Sequence, residues 1–165
     1  MVAEEFDENP HASRKLSELW TQVLDELDTK EIRRADGFSV EGLGDIAETI
    51  VTGVLAVDRF SDNAPGIARS ETVVGARFPA LSSRILVLER AVEELAEEEL
   101  RAVLVHEFFH GLLVYLDGPE RVLELPKAEL DEEVEELMRE SGFEAEADLI
   151  ECLRREWPLD ARRRG

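Results

Sequence analysis

The stretch His106-Glu107-Phe108-Phe109-His110 carries residue types at a spacing that could perform chemistry. On an α-helix, residues i and i+4 lie on one face about one turn apart, so the two imidazoles can grip a single metal ion. Glu107 then stands beside the first imidazole, where a carboxylate can accept a proton from water without being a ligand itself. This is the HExxH arrangement. Three ionisable side chains in an apolar segment need partners, because burying them unpaired is costly. A cation satisfies both histidines at once.

A catalytic Zn2+ takes three protein ligands and keeps one position open, so a further donor is required. The single cysteine, Cys152, is too few for a thiolate site and reads as a small hydrophobe packed beside Leu149 and Leu153. His11, the remaining histidine, falls in the N-terminal segment and reads as a surface residue. A carboxylate must therefore serve. Glu144 stands out, because Glu144-Ala145-Glu146-Ala147-Asp148 interleaves acids with small residues that let a helix approach the metal helix closely. Glu146 and Glu151 are its rivals.

The elements that must position these residues are legible as periodicities. Glu97 to Leu116 begins with three consecutive Glu, suited to the positive end of a helix dipole, and ends at Asp117-Gly118-Pro119, a strong stop. Its middle is apolar nearly all round, which predicts a buried helix. Leu16, Leu19, Trp20, Val23, Leu24 and Leu27 predict an amphipathic helix with Ser13 as its N-cap and Asp36-Gly37 as its stop. Val40 to Val57 reads as helix first and strand second, with Ile50 to Val57 the strand. Ser61 to Gly66 is dense in turn formers and reads as a loop. Glu71 to Phe78 and Arg84 to Glu89 predict neighbouring strands separated by a turn at Pro79 to Ser83. Lys127 to Arg139 predicts an acidic helix, broken at Ser141-Gly142, and Phe143 to Trp157 a last one before Pro158.

These motifs resemble the zincin metallopeptidases, and within them the gluzincin branch, whose pattern is HExxH on one helix and ExxxD on a later one. His106, Glu107 and His110 match the first part, and Glu144 and Asp148 the second. The resemblance implies that Glu144 is the third zinc ligand and that Asp148 accepts a hydrogen bond from a ligating histidine. The acid-rich start of the last helix and its closing proline also look like the ending of ImmA/IrrE-type peptidases, although Asp148 stands where they have Asn. The minimal zincin-like proteins are similar in size, but carry a histidine where this chain has Gly111. The fold implied is α+β and zincin-like: a small mixed sheet on an active-site helix, with further N- and C-terminal helices. Residues 1–165 then form one metallopeptidase domain, with 1–12 mobile and 160–165 a basic tail. Arg84 to Glu89 is either the edge strand that lines the cleft or an ordinary internal strand.

The implied function is hydrolysis of peptide bonds in a peptide or protein substrate, with Zn2+ as cofactor and Glu107 as general base. The alternative is a non-catalytic, regulatory protein that uses the same scaffold for protein–protein contacts. Tyr115, five residues beyond His110, points away from the metal-binding face and reads as packing. The 165 residues carry 39 acids against 19 Lys and Arg, a formal charge of -20 that repels a phosphate backbone and argues against nucleic acid. Ile50 to Val57, the longest apolar run, falls far short of the about 20 residues of a membrane span. The acidic N-terminus lacks the basic start and apolar block of a signal peptide. A soluble, cytoplasmic protein is expected, with its oligomeric state open.

Overall fold

The computed structural model describes residues 9–33, 39–58, 68–74 and 81–156. Helix α1 (Pro10–Leu27) buries Leu16, Leu19, Val23 and Leu27, the stripe its periodicity predicts. Its cap is Asn9 rather than Ser13: the Asn9 side chain accepts from the Ala12 amide at 3.1 Å, and Pro10 fills the first turn, where an N–H would be unsatisfied anyway. Residues 10–12, expected to be mobile, belong to this helix, and Ala12 is buried. Ser13 lies inside the first turn, and its hydroxyl serves a different purpose. It accepts a hydrogen bond from the Ala56 amide at 2.9 Å, while Ala56 O accepts one from the Asn9 amide at 2.9 Å.

Strands β1 (Glu31–Arg33) and β2 (Ser39–Glu41) form an antiparallel pair that the sequence reading did not include. Helix α2 (Gly44–Ile50) and strand β3 (Val51–Val57) follow in the expected order, helix then strand. Strand β4 (Ala68–Val74) starts earlier than expected, and β5 (Leu81–Leu88) extends into the stretch read as a turn. The sheet order is β3-β5-β4, with β5 parallel to β3 and antiparallel to β4. The strand beginning near Arg84 is thus internal, and the sheet edges are β3 and β4. Six-residue α3 (Glu89–Glu94) connects β5 to α4 (Glu97–Asp117). Helices α5 (Pro119–Glu124), α6 (Lys127–Glu140) and α7 (Glu144–Glu156) complete the described chain. The expected loop at Ser61–Gly66, the stop at Asp36-Gly37, Trp157, Pro158 and the basic C-terminus lie outside the described residues.

Helix α4 is the centre of the molecule. It packs on α1, α2, α5, α6, α7, β4 and β5, and every residue from Ala102 to Phe109 is buried. A helix with no polar face needs such a shell. Trp20 of α1 and Phe143 at the start of α7 meet the α4 aromatics Phe108 and Phe109 with ring centroids 6.3 and 5.7 Å apart. The Glu99 side chain accepts from the Ala96 amide at 3.0 Å at the N-terminus of α4, where the acids Glu97 to Glu99 face the helix dipole. At the other end, Gly118 adopts φ 88°, a conformation that L side chains rarely reach. The architecture is α+β, a bundle of helices around α4 with a small mixed sheet on one side. Among the described residues, no helix is long and apolar enough to cross a membrane.

Removing the Ser13 hydroxyl strands the amide of Ala56 in a buried position. Ser13→Ala is expected to lower the unfolding free energy by about 1–3 kcal/mol in urea titrations, whereas Ser17→Ala on the exposed face changes it by less than about 0.5 kcal/mol.

Candidate metal centre

The i, i+4 spacing does on α4 what helical geometry dictates. His106 is fully buried and His110 half-buried, and their Nε2 atoms face one another at 3.1 Å. The rings meet edge-on, with centroids 4.6 Å apart and planes at 83°. Two nitrogens bound to one tetrahedral Zn2+ at 2.0–2.1 Å stand about 3.3 Å apart. The observed separation is close to that value. Between neutral imidazoles the same approach is also a hydrogen bond, with one Nε2 protonated and the other not. Both arrangements aim two nitrogen donors at a common point, and the first is a metal-ligand geometry.

Glu107 is buried next to His106, and donor atoms of His106, Glu107 and His110 lie within 4.8 Å of one another. Imidazole nitrogen and carboxylate oxygen are the donors that zinc and its neighbours among the divalent transition metals accept. The three residues could therefore hold a metal ion.

The structure does not bring Glu144 or Asp148 to these imidazoles. The Glu144 side chain is 80% exposed, and its Oε1 lies 3.8 Å from Nη1 of Arg139. Nη2 of Arg139 donates to Asp148 Oδ1 at 2.8 Å and lies 3.6 Å from Glu151 Oε1. The hydrogen bond to Asp148 raises the Arg139 guanidinium above its ordinary pKa, and the charges of Asp148, Glu151 and Glu144 add to the effect, against some loss of hydration. The cause of this outward placement lies in the periodicity of α7. Ala147, Ile150 and Leu153 form its buried stripe, while positions 144, 148 and 151 form a second stripe beside Arg139. Glu146 is half-buried and likewise stands outside the His-Glu-His group.

Other expectations divide in the same way. His11 is exposed on α1, as expected of a surface residue. Cys152 is exposed rather than packed. Tyr115 is exposed and borders a recess of about 140 Å³ lined by Asp45, Ile46, Thr49 and Ile50 of α2.

Two buried acids escaped the sequence reading. Asp131 and Glu135 of α6 are 4% and 9% exposed. Their signal was present: they stand i, i+4 on the same stripe as Val134 and Met138, whereas Glu132 and Glu136 fall on the outer face. In so acidic a helix, composition hid the position.

A ligand that binds only the folded chain stabilises it by mass action. Zn2+ supplied at a hundredfold its Kd is expected to raise the unfolding free energy by about 2.7 kcal/mol. Chelation should reverse the gain, and His110→Ala should remove it, as read by thermal unfolding. Comparison of the chain with protein-family models, with curated proteins and with solved structures gives no match, so the geometry of the His-Glu-His group carries the functional assignment.

Proposed function

We propose that the protein is a small zinc-dependent peptidase with a zincin-like active-site helix. The observation that supports this reading is the pair of Nε2 atoms 3.1 Å apart, with a buried carboxylate at the intervening position of an HExxH helix. A purely structural site has no need of Glu107. His106 and His110 hold the metal, which when bound supplies a Lewis acid for the scissile carbonyl. Glu107 takes a proton from the attacking water and passes it to the leaving amine. Because Glu107 follows His106 directly on a rigid helix, its carboxylate is held close to the imidazoles without a mobile loop.

The sheet supports the same reading. The β3 edge is engaged at Ala56 by the start of α1, through both its N–H and its carbonyl. Strand β4, which packs against α4, pairs only with β5 among the described residues. An extended peptide adding to the outer side of β4 would gain main-chain hydrogen bonds next to the active-site helix. The formal charge of -20 favours basic peptides, with a preference that weakens as salt screens the surface.

The test is turnover of a mixed peptide library by the zinc-loaded protein. Glu107→Gln is expected to reduce the rate by about 10²- to 10⁴-fold, the usual contribution of a general base, while the variant still binds zinc. A wild type that binds zinc yet cleaves nothing, or a variant as active as wild type, would remove the peptidase reading.

A further inference from the structure

We infer that the recess between α2 and α4 is a docking site for one lysine or arginine side chain of a partner polypeptide. It lies apart from the proposed metal centre, because Tyr115 follows His110 by five residues, which is about 140° around α4 and about 7.5 Å along it. The inference does not depend on a bound metal.

The recess holds about 140 Å³ and is lined by Asp45, Ile46, Thr49, Ile50 and Tyr115. The four α2 residues stand at i, i+1, i+4 and i+5, a single face of a helix, and α2 packs on α4. Along that face the chemistry is divided. Ile50 is 1% exposed and Ile46 half-buried, and they give the recess its apolar part. Asp45 and Thr49 are exposed and give it a carboxylate and a hydroxyl. The Thr49 hydroxyl donates to the Asp45 carbonyl at 2.9 Å, so its oxygen is left to accept. From α4, Tyr115 adds an aromatic ring, 43% exposed where the rest of the helix lies in its shell.

These groups match one kind of ligand. A recess of this size falls below the range of pockets that enclose drug-sized molecules and admits about one side chain. An apolar ligand would strip water from Asp45 without replacing it, and an anion would meet that carboxylate in a chain of formal charge -20. A methylene stem that ends in a cation suits every part: the stem covers Ile46 and Ile50, and the ammonium or guanidinium faces Asp45 and the Tyr115 ring. The charge of Asp45 is not already matched. It has no ion pair among the described residues, whereas Arg101, Arg121 and Arg139 are each engaged by other acids.

Tyr115 is the single tyrosine of the chain, so 3-fluorotyrosine incorporated into the full protein gives one 19F resonance, located at the recess. The probe is the capped peptide acetyl-Gly-Gly-Lys-Gly-Gly-amide, titrated in about 0.1 M salt, where charges more than about 10 Å away are largely screened. This peptide and its arginine analogue are expected to move the resonance saturably. A norleucine analogue, which keeps the stem and lacks the charge, should not. Asp45→Asn should weaken binding by about two- to fivefold, the range of an exposed ion pair. Glu48→Gln, an equal loss of charge at an exposed α2 position outside the recess, should leave it unchanged. n-Butylammonium, the same cation without a backbone, should bind no more tightly than the peptide. No saturable shift with either basic peptide, equal affinity for the norleucine peptide, or equal losses in Asp45→Asn and Glu48→Gln would overturn the inference. Binding of n-butylammonium but of neither peptide would overturn the polypeptide partner and make the recess a small-amine site.

Discussion

Two imidazoles facing each other inside the most enclosed helix of the molecule set the terms for everything packed around them. A helix that is apolar on all sides is stable only inside a shell, and α4 has one built from helices and from two strands of the sheet. Such a shell lowers the local dielectric, which makes each polar group within it more costly to leave unmatched and more effective when matched. His106 and Glu107 lie at the bottom of this environment, and His110 at its border with solvent. That gradient would suit the proposed hydrolytic centre, with donors held rigidly on one side and solvent on the other.

What could be read from the residues alone, and what could not, follows the range of the forces involved. The pairing of His106 with His110 is a property of one helical turn, and so are the cluster of acids at the start of α4 and the stop at Gly118. Local rules therefore found them. The change from helix to strand within Val40 to Val57 was legible for the same reason, since period 3.6 gives way to a continuous apolar run, but Val40 and Glu41 at its start belong to β2 and the helix begins at Gly44. Ser13 was misread because its hydroxyl answers to Ala56, distant in sequence, rather than to its own helix. Nothing near Arg84 says whether a strand has one neighbour or two, and its internal position depends on β3 and β4 pairing from opposite sides.

The acids of α6 and α7 show the same limit more sharply. In a chain with 39 acidic residues, a pattern of acids near the C-terminus is weak information, and Glu144 was singled out by the small residues between its neighbouring acids and by a resemblance of spacing. Helical phase carries more. Glu144, Asp148 and Glu151 share a stripe with no apolar residue, whereas Asp131 and Glu135 interrupt one that is otherwise apolar. Burial of an acid is therefore set by the apolar neighbours that share its stripe and not by its own type.

Two of the sixteen arginines in this acidic chain tie helices together at the surface. Arg121 joins the end of α4 to α6 through Asp117 and Glu133, and Arg139 joins α6 to α7 through three acids. Both guanidiniums are held above their ordinary pKa, Arg121 first by its hydrogen bond to Glu133 and Arg139 first by its hydrogen bond to Asp148. Exposed pairs of this kind add little to stability one by one. Their position matters more than their strength, because Arg121 and the Phe109–Phe143 contact fix how far α6 can slide along α4. A slide of one residue moves a side chain by about 1.5 Å along the axis and about 100° around it, enough to turn an inward carboxylate out of the helix interface. The apolar stripe of α6 against α4 holds the helix against such a turn, and the surface pairs add to that constraint.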